Sequence, residues 1–303
     1  MLKFTSVVDI LRNASSTCRL FFQASNEDEL WYELLDQSSL SEIGPKEAYR
    51  QSRTAMLVKL QRGHLVLYRP AQDREETVRL KGPHECSWNS AHTFIDNRHV
   101  LTCGSQRDDC FSPKAFLIDI TTGKCAQVES MTQSRVGHGL IAVNQRAYAF
   151  GGYGPLKSCE TWKEGELWRR IGQEMRIARA WLTPCAAKDV IYLCGGGGGL
   201  CEQFTPSSES FAHLDIQLPA HGSACSVCYK DCILIVTYCH FALYNRVSRQ
   251  SCITDRTERK ATWSNSPAII YKDRLIMERD EEENRVIVLT SLLEDPAFAL
   301  ILS

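Results

Sequence analysis

The sequence predicts an all-β fold in which one small sheet is repeated about six times, and three observations carry that reading. Short apolar runs recur: "AMLVKL" from Ala55, "HVLTCG" from His99, "AYAFGG" from Ala147, "VIYLCGG" from Val190, "CILIVTY" from Cys232 and "DRLIMER" from Asp273, at intervals of 41–48 residues. A second series keeps nearly the same beat, with "LVLY" ending at Tyr68, "FLID" at Asp119, "CETW" at Trp162, "CEQF" at Phe204, "FALY" at Tyr244 and "VIVL" at Leu289. Each interval also holds several runs rich in Val, Ile, Leu, Tyr and Phe between turn residues, which is the pattern of strands. A unit of about four strands cannot bury its own faces, so neighbours must stack, and stacking around an axis gives a β-propeller.

Composition narrows the function classes. The chain has 303 residues, 44% of them hydrophobic and 23% charged, with a formal net charge of −1. A nucleic-acid binder driven by phosphate contacts needs a basic face, which this balance does not suggest. No apolar run approaches the ~18 residues of a membrane span. The opening "MLKFTSVVDILRN" lacks the apolar core and small-residue cleavage site of a secretory signal. A soluble, monomeric protein of the cytosol or nucleus is expected, where thiols stay reduced. The fourteen cysteines scatter along the chain, and several, such as Cys103, Cys194 and Cys232, fall inside strand-like runs. Buried cysteine packs as a small hydrophobe, so most are expected in the core rather than in a disulfide framework.

Taken in order, residues 1–45 differ in texture from the rest. Val7, Ile10, Leu11, Ala14, Cys18, Phe21 and Phe22 follow three-and-four spacing, which predicts a helix. Asn26 then heads "NEDELWYELL", with Glu29 three residues on, a capped start for a second helix whose apolar face is Leu30, Trp31, Leu34 and Leu35. "SSLSEIGPKE" reads as linker, and residues 50–303 are the repeated sheets. The first unit is short of one strand by this count, and the closing "AFALILS" is a candidate fourth strand for the last.

The glycine tract Gly195–Gly199 invites a phosphate-loop reading, but that motif requires Gly-Lys-Ser/Thr and a following helix. Leu200-Cys201-Glu202 supplies neither. Instead Gly195-Gly196 repeats Gly151-Gly152 at an offset of 44. Both doublets close a second strand, where a missing side chain lets a neighbouring backbone approach.

The finer pattern resembles the kelch repeat. No Trp-Asp dipeptide occurs, which sets aside the other common propeller repeat of this period. "MTQSR" ending at Arg135 matches "MRIAR" ending at Arg179. His138, the Gly-Gly doublets, Glu160 and Glu202 ahead of aromatics, and Trp168 complete the order over about two units. The other units keep the rhythm and lose the glycines. The resemblance implies a six-bladed propeller with one blade incomplete. Residues 1–45 resemble the second half of an F-box, through Asp9-Ile10-Leu11-Arg12, Cys18-Arg19 with Phe21-Phe22, and Asp28-Glu29-Leu30-Trp31. The family's opening Leu-Pro and first helix are absent. Together the resemblances imply a substrate receptor of an SCF-type ubiquitin ligase, with Ile10, Leu11, Cys18, Phe21, Leu30 and Trp31 toward the adaptor subunit. The alternative is a kelch scaffold without ligase recruitment.

In kelch propellers the loops between second and third strands, and between blades, line one face. By period, these loops carry Arg107, Tyr153, Lys157 and Arg279 in the first set, and Trp181 and His221 in the second. Arginine and aromatic residues are enriched at binding hot spots. Arg135 and Arg179 also fall there, but as repeat arginines they are expected to be buried braces between blades. His92 and His138 are read as equivalent positions with a structural role. The run "RDEEEN", Arg279 to Asn284, reads as a solvated hairpin loop. Cys225, Cys228, Cys232, Cys239, His221 and His240 cluster in sequence, but zinc needs ligands that converge. On a strand Cys225 and Cys228 point to opposite faces, so packed thiols are expected and no metal or cofactor. No nucleophile elbow or phosphate site is present, and the chain is read as a non-enzymatic protein-binding module.

Overall fold

The structure is a computed structural model, and it describes residues 57–61, 63–69, 74–84, 89–107, 110–154, 156–219, 224–237, 240–255, 268–271, 274–277, 286–288 and 301. The chain divides into two compact units, residues 1–55 and 56–303, and the described residues all belong to the second. The expected helical segment, with Ile10, Leu11, Cys18, Phe21, Leu30 and Trp31, lies outside the described residues, as do His221 and Arg279.

The described chain is all-β. The first sheet has three strands, β1 (Leu57–Gln61), β2 (His64–Arg69) and β3 (Arg74–Arg79). The second has four, β4 (Ala91–Phe94), β5 (His99–Arg107), β6 (Cys110–Asp119) and β7 (Cys125–Val128). The third comprises β8 (Gly139–Val143), β9 (Arg146–Phe150), β10 (Cys159–Lys163) and β11 (Arg169–Arg170). After the two-residue β12 (Leu182–Thr183) comes the fourth, β13 (Cys185–Ala187), β14 (Val190–Leu193), β15 (Leu200–Thr205) and β16 (Ser210–Gln217). The fifth is β17 (Ala224–Tyr229), β18 (Cys232–Thr237), β19 (His240–Asn245) and β20 (Ser251–Asp255), with β12 added at its edge. The last described sheet has three strands, β21 (Ala268–Tyr271), β22 (Arg274–Met277) and β23 (Val286–Val288).

Apart from β12, the strands of each sheet pair antiparallel with their sequence neighbours. The four four-stranded meanders stack in chain order in a propeller-like arrangement. Their first strands are the contact line: β4 packs beside β8, β8 beside β13, and β13 beside β17. Burial follows position. The second strand β18, Cys-Ile-Leu-Ile-Val-Thr, is buried along its whole length, because a sheet covered on both faces has no solvent side. The outermost strands carry charge instead: β3 reads Arg-Glu-Glu-Thr-Val-Arg and β11 is Arg169-Arg170, both largely exposed. Charged side chains on an edge discourage pairing with other chains.

Five apolar clusters fill the seams between sheets. One joins the third and fourth sheets through Tyr148, Phe150, Ile191, Leu193 and Phe204. Phe204 there meets Phe150 at 5.5 Å and Phe211 at 4.8 Å between ring centroids. Aromatic pairs in this range add about 0.5–1.5 kcal/mol each beyond their area. Eight of the eleven described cysteines are buried, as the sequence led us to expect. Cys225 and Cys228 fall on opposite faces of β17, one in the seam toward the last sheet and the other in the seam toward the fourth.

Proline accounts for the irregular strand. Pro184 has no N–H to give a ladder, and the first strand of the fourth sheet breaks there. The residues before it, Leu182 and Thr183, pair in parallel with Ala224 and Cys225 of the fifth sheet. The Pro184 ring packs over Gly139 of β8, where an added Cβ would stand 3.1 Å from it. Of the closing "AFALILS" only Ile301 is described, and it is not in a strand; its carbonyl accepts a hydrogen bond from Asn245 Nδ2 at 3.0 Å. Among the described residues, no helix is long and apolar enough to cross a membrane.

Candidate functional site: the loop face

Two sets of loops meet at one end of the strands. The loops after the second strands and the loops between sheets are joined by backbone hydrogen bonds: Tyr153 N–H donates to Val136 (2.7 Å), Met175 N–H to Lys157 (3.1 Å), Ala180 N–H to Gly196 (2.6 Å) and Leu218 N–H to Gly199 (2.8 Å). Both sets therefore share a face.

Buried arginines hold this face from below. Arg135 is 1% exposed and lies in the loop before β8. Its Nε donates to Glu160 Oε1 at 3.0 Å, Nη1 to the carbonyls of Gly151 (2.6 Å) and Ser158 (2.9 Å), and Nη2 to Ser158 Oγ (2.9 Å). The other carboxylate oxygen of Glu160 accepts from Thr132 N–H at 2.6 Å. Arg179 repeats the design one sheet on, with Nη1 to the Gly195 carbonyl at 2.7 Å and Nη2 to Glu202 Oε2 at 2.9 Å, while Glu202 Oε1 accepts from Arg176 N–H at 3.0 Å. Each guanidinium thus links the loop that leads into its sheet with the second and third strands of that sheet. These arginines brace loops within one sheet; they are not surface available to a partner.

The glycines complete the brace between sheets. A Cβ on Gly104 would run into the carbonyl of Arg135, one on Gly151 into that of Arg179, and one on Gly196 into that of Ala180. Gly104, within β5, and Gly151, just after β9, thus admit the backbone that leads into the following sheet, whereas Gly196 admits the approach loop of its own sheet and Gly195 abuts Ala224 of the fifth. Gly151 and Gly196 have φ of 67° and 71°, a region that side chains resist. Gly151 shows the close approach of a neighbouring sheet's backbone expected of the doublets, while Gly197, like Gly196, abuts its own approach loop, at the carbonyl of Ala178.

His138 and Cys103 form a buried imidazole–thiol contact at 3.3 Å. Burial, and secondarily the Arg135 charge, push the imidazole down to about 3, and burial pushes the Cys103 thiol well above its ordinary range. Both groups are held neutral, the opposite of the thiolate–imidazolium state that a nucleophilic pair requires. The contact serves packing. The expected equivalence of His92 and His138 does not hold. Ala91 on β4 and Gly139 on β8 are the matching first residues, opposite Cys103 and Phe150, so Ser90 stands where His138 stands. The two histidines differ by two positions because the second sheet uses more residues than the third, Cys103 standing opposite Ala115 where the matching Phe150 stands opposite Cys159.

The outward residues differ in what they offer. Tyr153 is 58% exposed, in the loop between β9 and β10, and stands edge-on to Phe111 of the preceding sheet, with centroids 6.0 Å apart and planes at 85°. Lys157, in the same loop, is exposed. Arg107 ends β5. Trp181 is only partly exposed: its ring lies on Gly137, its backbone N–H donates to the Gly137 carbonyl at 2.6 Å, and its backbone carbonyl accepts from Ala224 N–H at 3.2 Å. It does so at φ 61°, unusual for a bulky residue, and so ties the third, fourth and fifth sheets together. Phe111 is not among the residues that the period singles out. The signal was available, since "RDDCFSPK" sets an aromatic four residues after Arg107, and the structure places the two at the facing ends of β5 and β6. Among the described residues no group of three or more histidine, cysteine or acidic side chains is arranged to hold a metal ion. Compared with known proteins, the chain matches no family model and no curated sequence.

Proposed function

We propose that this chain is a kelch-type propeller of six blades that binds a protein partner on its loop face, and that residues 1–45 attach it to the adaptor subunit of an SCF-type ubiquitin ligase. The observation that carries the reading is the exposed Tyr153–Phe111 pair, with Tyr153 on a loop braced from beneath by Arg135. A rigid aromatic on a pre-organised surface loses little entropy on binding and is a favoured hot-spot type. The repeated Arg–Glu and Gly-Gly arrangement supports the kelch reading. The two three-stranded sheets at either end of the described region support six blades, each lacking one strand among the described residues. The ligase half rests on the F-box resemblance of residues 1–45, and the cytosol or nucleus would be its site of action.

The experiment is quantitative affinity capture of the full chain and of Tyr153→Ala from cells. Tyr153 is exposed, so the variant should keep its melting temperature and lose its principal partner at least tenfold, the about 1.4 kcal/mol or more of a hot-spot side chain. Equal recovery by both chains would overturn the loop-face reading. Purified adaptor subunit tests the other half: the full chain should bind it and Trp31→Ala should not.

The alternative is a kelch scaffold that binds a protein partner without ligase recruitment. A chain beginning at residue 46 that keeps every partner, with no adaptor bound to the full chain, would select that reading.

A further inference from the structure

We propose that Cys185 and Cys228 form a reversible disulfide, made by hydroperoxide oxidation, that clasps the fourth and fifth sheets. The two residues belong to different sheets, on β13 and β17, and stand 43 positions apart in the chain. Their sulfurs are nevertheless 3.4 Å apart, with the Cys228 thiol donating to Cys185 Sγ. Just above them the two chains run parallel, with Leu182 opposite Ala224, Thr183 opposite Cys225, and Ser226 Oγ donating to the Thr183 carbonyl at 2.7 Å. That pairing fixes the spacing of the strands, so closing the remaining distance needs side-chain rotation rather than movement of a sheet.

Exposure divides the roles. Cys228 is partly exposed and Cys185 is 7% exposed. The oxidant therefore reaches Cys228 first and Cys185 resolves. The Cys228 thiolate attacks one peroxide oxygen; an S–O bond forms, the O–O bond breaks, and the departing hydroxide takes a proton to become water. The Cys185 thiolate then attacks the sulfenic sulfur; the S–S bond forms, the S–O bond breaks, and a second water leaves. In sum, two thiols and one hydrogen peroxide give one disulfide and two waters, with the sulfurs oxidised by two electrons and the peroxide reduced by two. A dithiol reductant reverses the link by exchange. Cys194 and Cys201 lie in the same seam but are 0% exposed, sealed from the oxidant, and Cys110 is exposed and oxidises singly.

The test uses the purified full chain, treated with stoichiometric hydrogen peroxide, alkylated and mapped as unreduced peptides by mass spectrometry. The expected product is a cross-linked pair of peptides containing Cys185 and Cys228, two hydrogens lighter than their sum and released by dithiothreitol. Closing so long a loop restricts the unfolded chain, so the oxidised protein should melt several degrees above the reduced one. Cys228→Ala should abolish both the link and the shift. Cys185→Ser should leave Cys228 as a sulfenic acid that a dimedone probe traps. Oxidation confined to Cys110 or Cys252, links only between chains, or a peptide map without the pair would overturn the proposal. The wild-type map reads the link directly, so the outcome does not depend on either variant folding.

Discussion

The fourth and fifth sheets share a strand plan and differ in how they hold their loops. In the fourth, Glu202 on the third strand pairs with buried Arg179, and Gly195 stands two residues past the second strand. In the fifth, register places Ala242 at the Glu202 position and Thr237 at the Gly195 position. That sheet has an apolar β18, and its loop is closed by Thr237, whose Oγ1 accepts from His240 N–H at 3.0 Å. Both sheets form. The sheet itself thus comes from apolar strands of the right spacing, and the arginine, glutamate and glycine doublet are instructions for the loops above it. A repeat can lose the second set and keep the first.

The largest effect should come from breaking the brace on one side. Glu202→Ala leaves the Arg179 guanidinium buried without its carboxylate, and removing one partner of a buried pair typically costs about 3–5 kcal/mol. Urea unfolding should show that loss as a lower midpoint. The comparison with the fifth sheet sharpens it: Arg179→Met with Glu202→Leu, which makes the fourth sheet apolar like its neighbour, should lose much less than the single change, since apolar replacement of a buried pair is often neutral. A double variant as unstable as Glu202→Ala would mean that the loops, and not the charge balance, need the arginine.

The same distinction explains what was legible in the sequence. The strands of the second to fifth sheets lie where the apolar period put them, because side-chain burial alone selects them. The brace residues Arg135, Glu160, Arg179 and Glu202 were also visible, since a charge repeated at a fixed interval has few other uses. Trp181 was seen as an aromatic on the face, but its left-handed backbone and its contact with Gly137 come from meeting another sheet, which no local pattern encodes. The pairing of Leu182-Thr183 with the fifth sheet was hidden for the same reason. Pro184 announced a break without saying where the loose end would go. The His92–His138 match failed because it counted residues along the chain, whereas the ladder aligns Ala91 with Gly139.

The glycines give a second, smaller contrast. Gly151 and Gly154 both have positive φ, 67° and 100°. An added Cβ at Gly151 meets the Arg179 carbonyl, and at Gly154 it meets nothing within 4 Å. Backbone strain alone costs about 1–3 kcal/mol, so Gly154→Ala should sit at the lower end of that range and Gly151→Ala at or above its top. Equal losses in thermal or urea unfolding would show that the neighbouring sheet yields to a methyl group and that close approach does not define the doublet.

The last contrast is read by pH, acting where the second and third sheets meet. His138 is buried neutral in the third sheet's approach loop, and Ser90, which cannot titrate, occupies its place in the second. The imidazole is held at about 3 in the folded chain, below its ordinary value of 6.5. The unfolded chain therefore binds the extra proton first as pH falls. The neutral imidazole's contribution is fully present above pH 6.5 and is lost progressively between 6.5 and 3, at up to about 1.4 kcal/mol per pH unit once the unfolded imidazole is mostly charged. Replacing His138 by Gln, which keeps a polar group of similar length and removes the titration, should flatten the stability profile over that window while leaving it largely unchanged in shape above pH 7. An unchanged acid limb would assign the loss to other groups and would mean that the imidazole gains a proton without disturbing the seam.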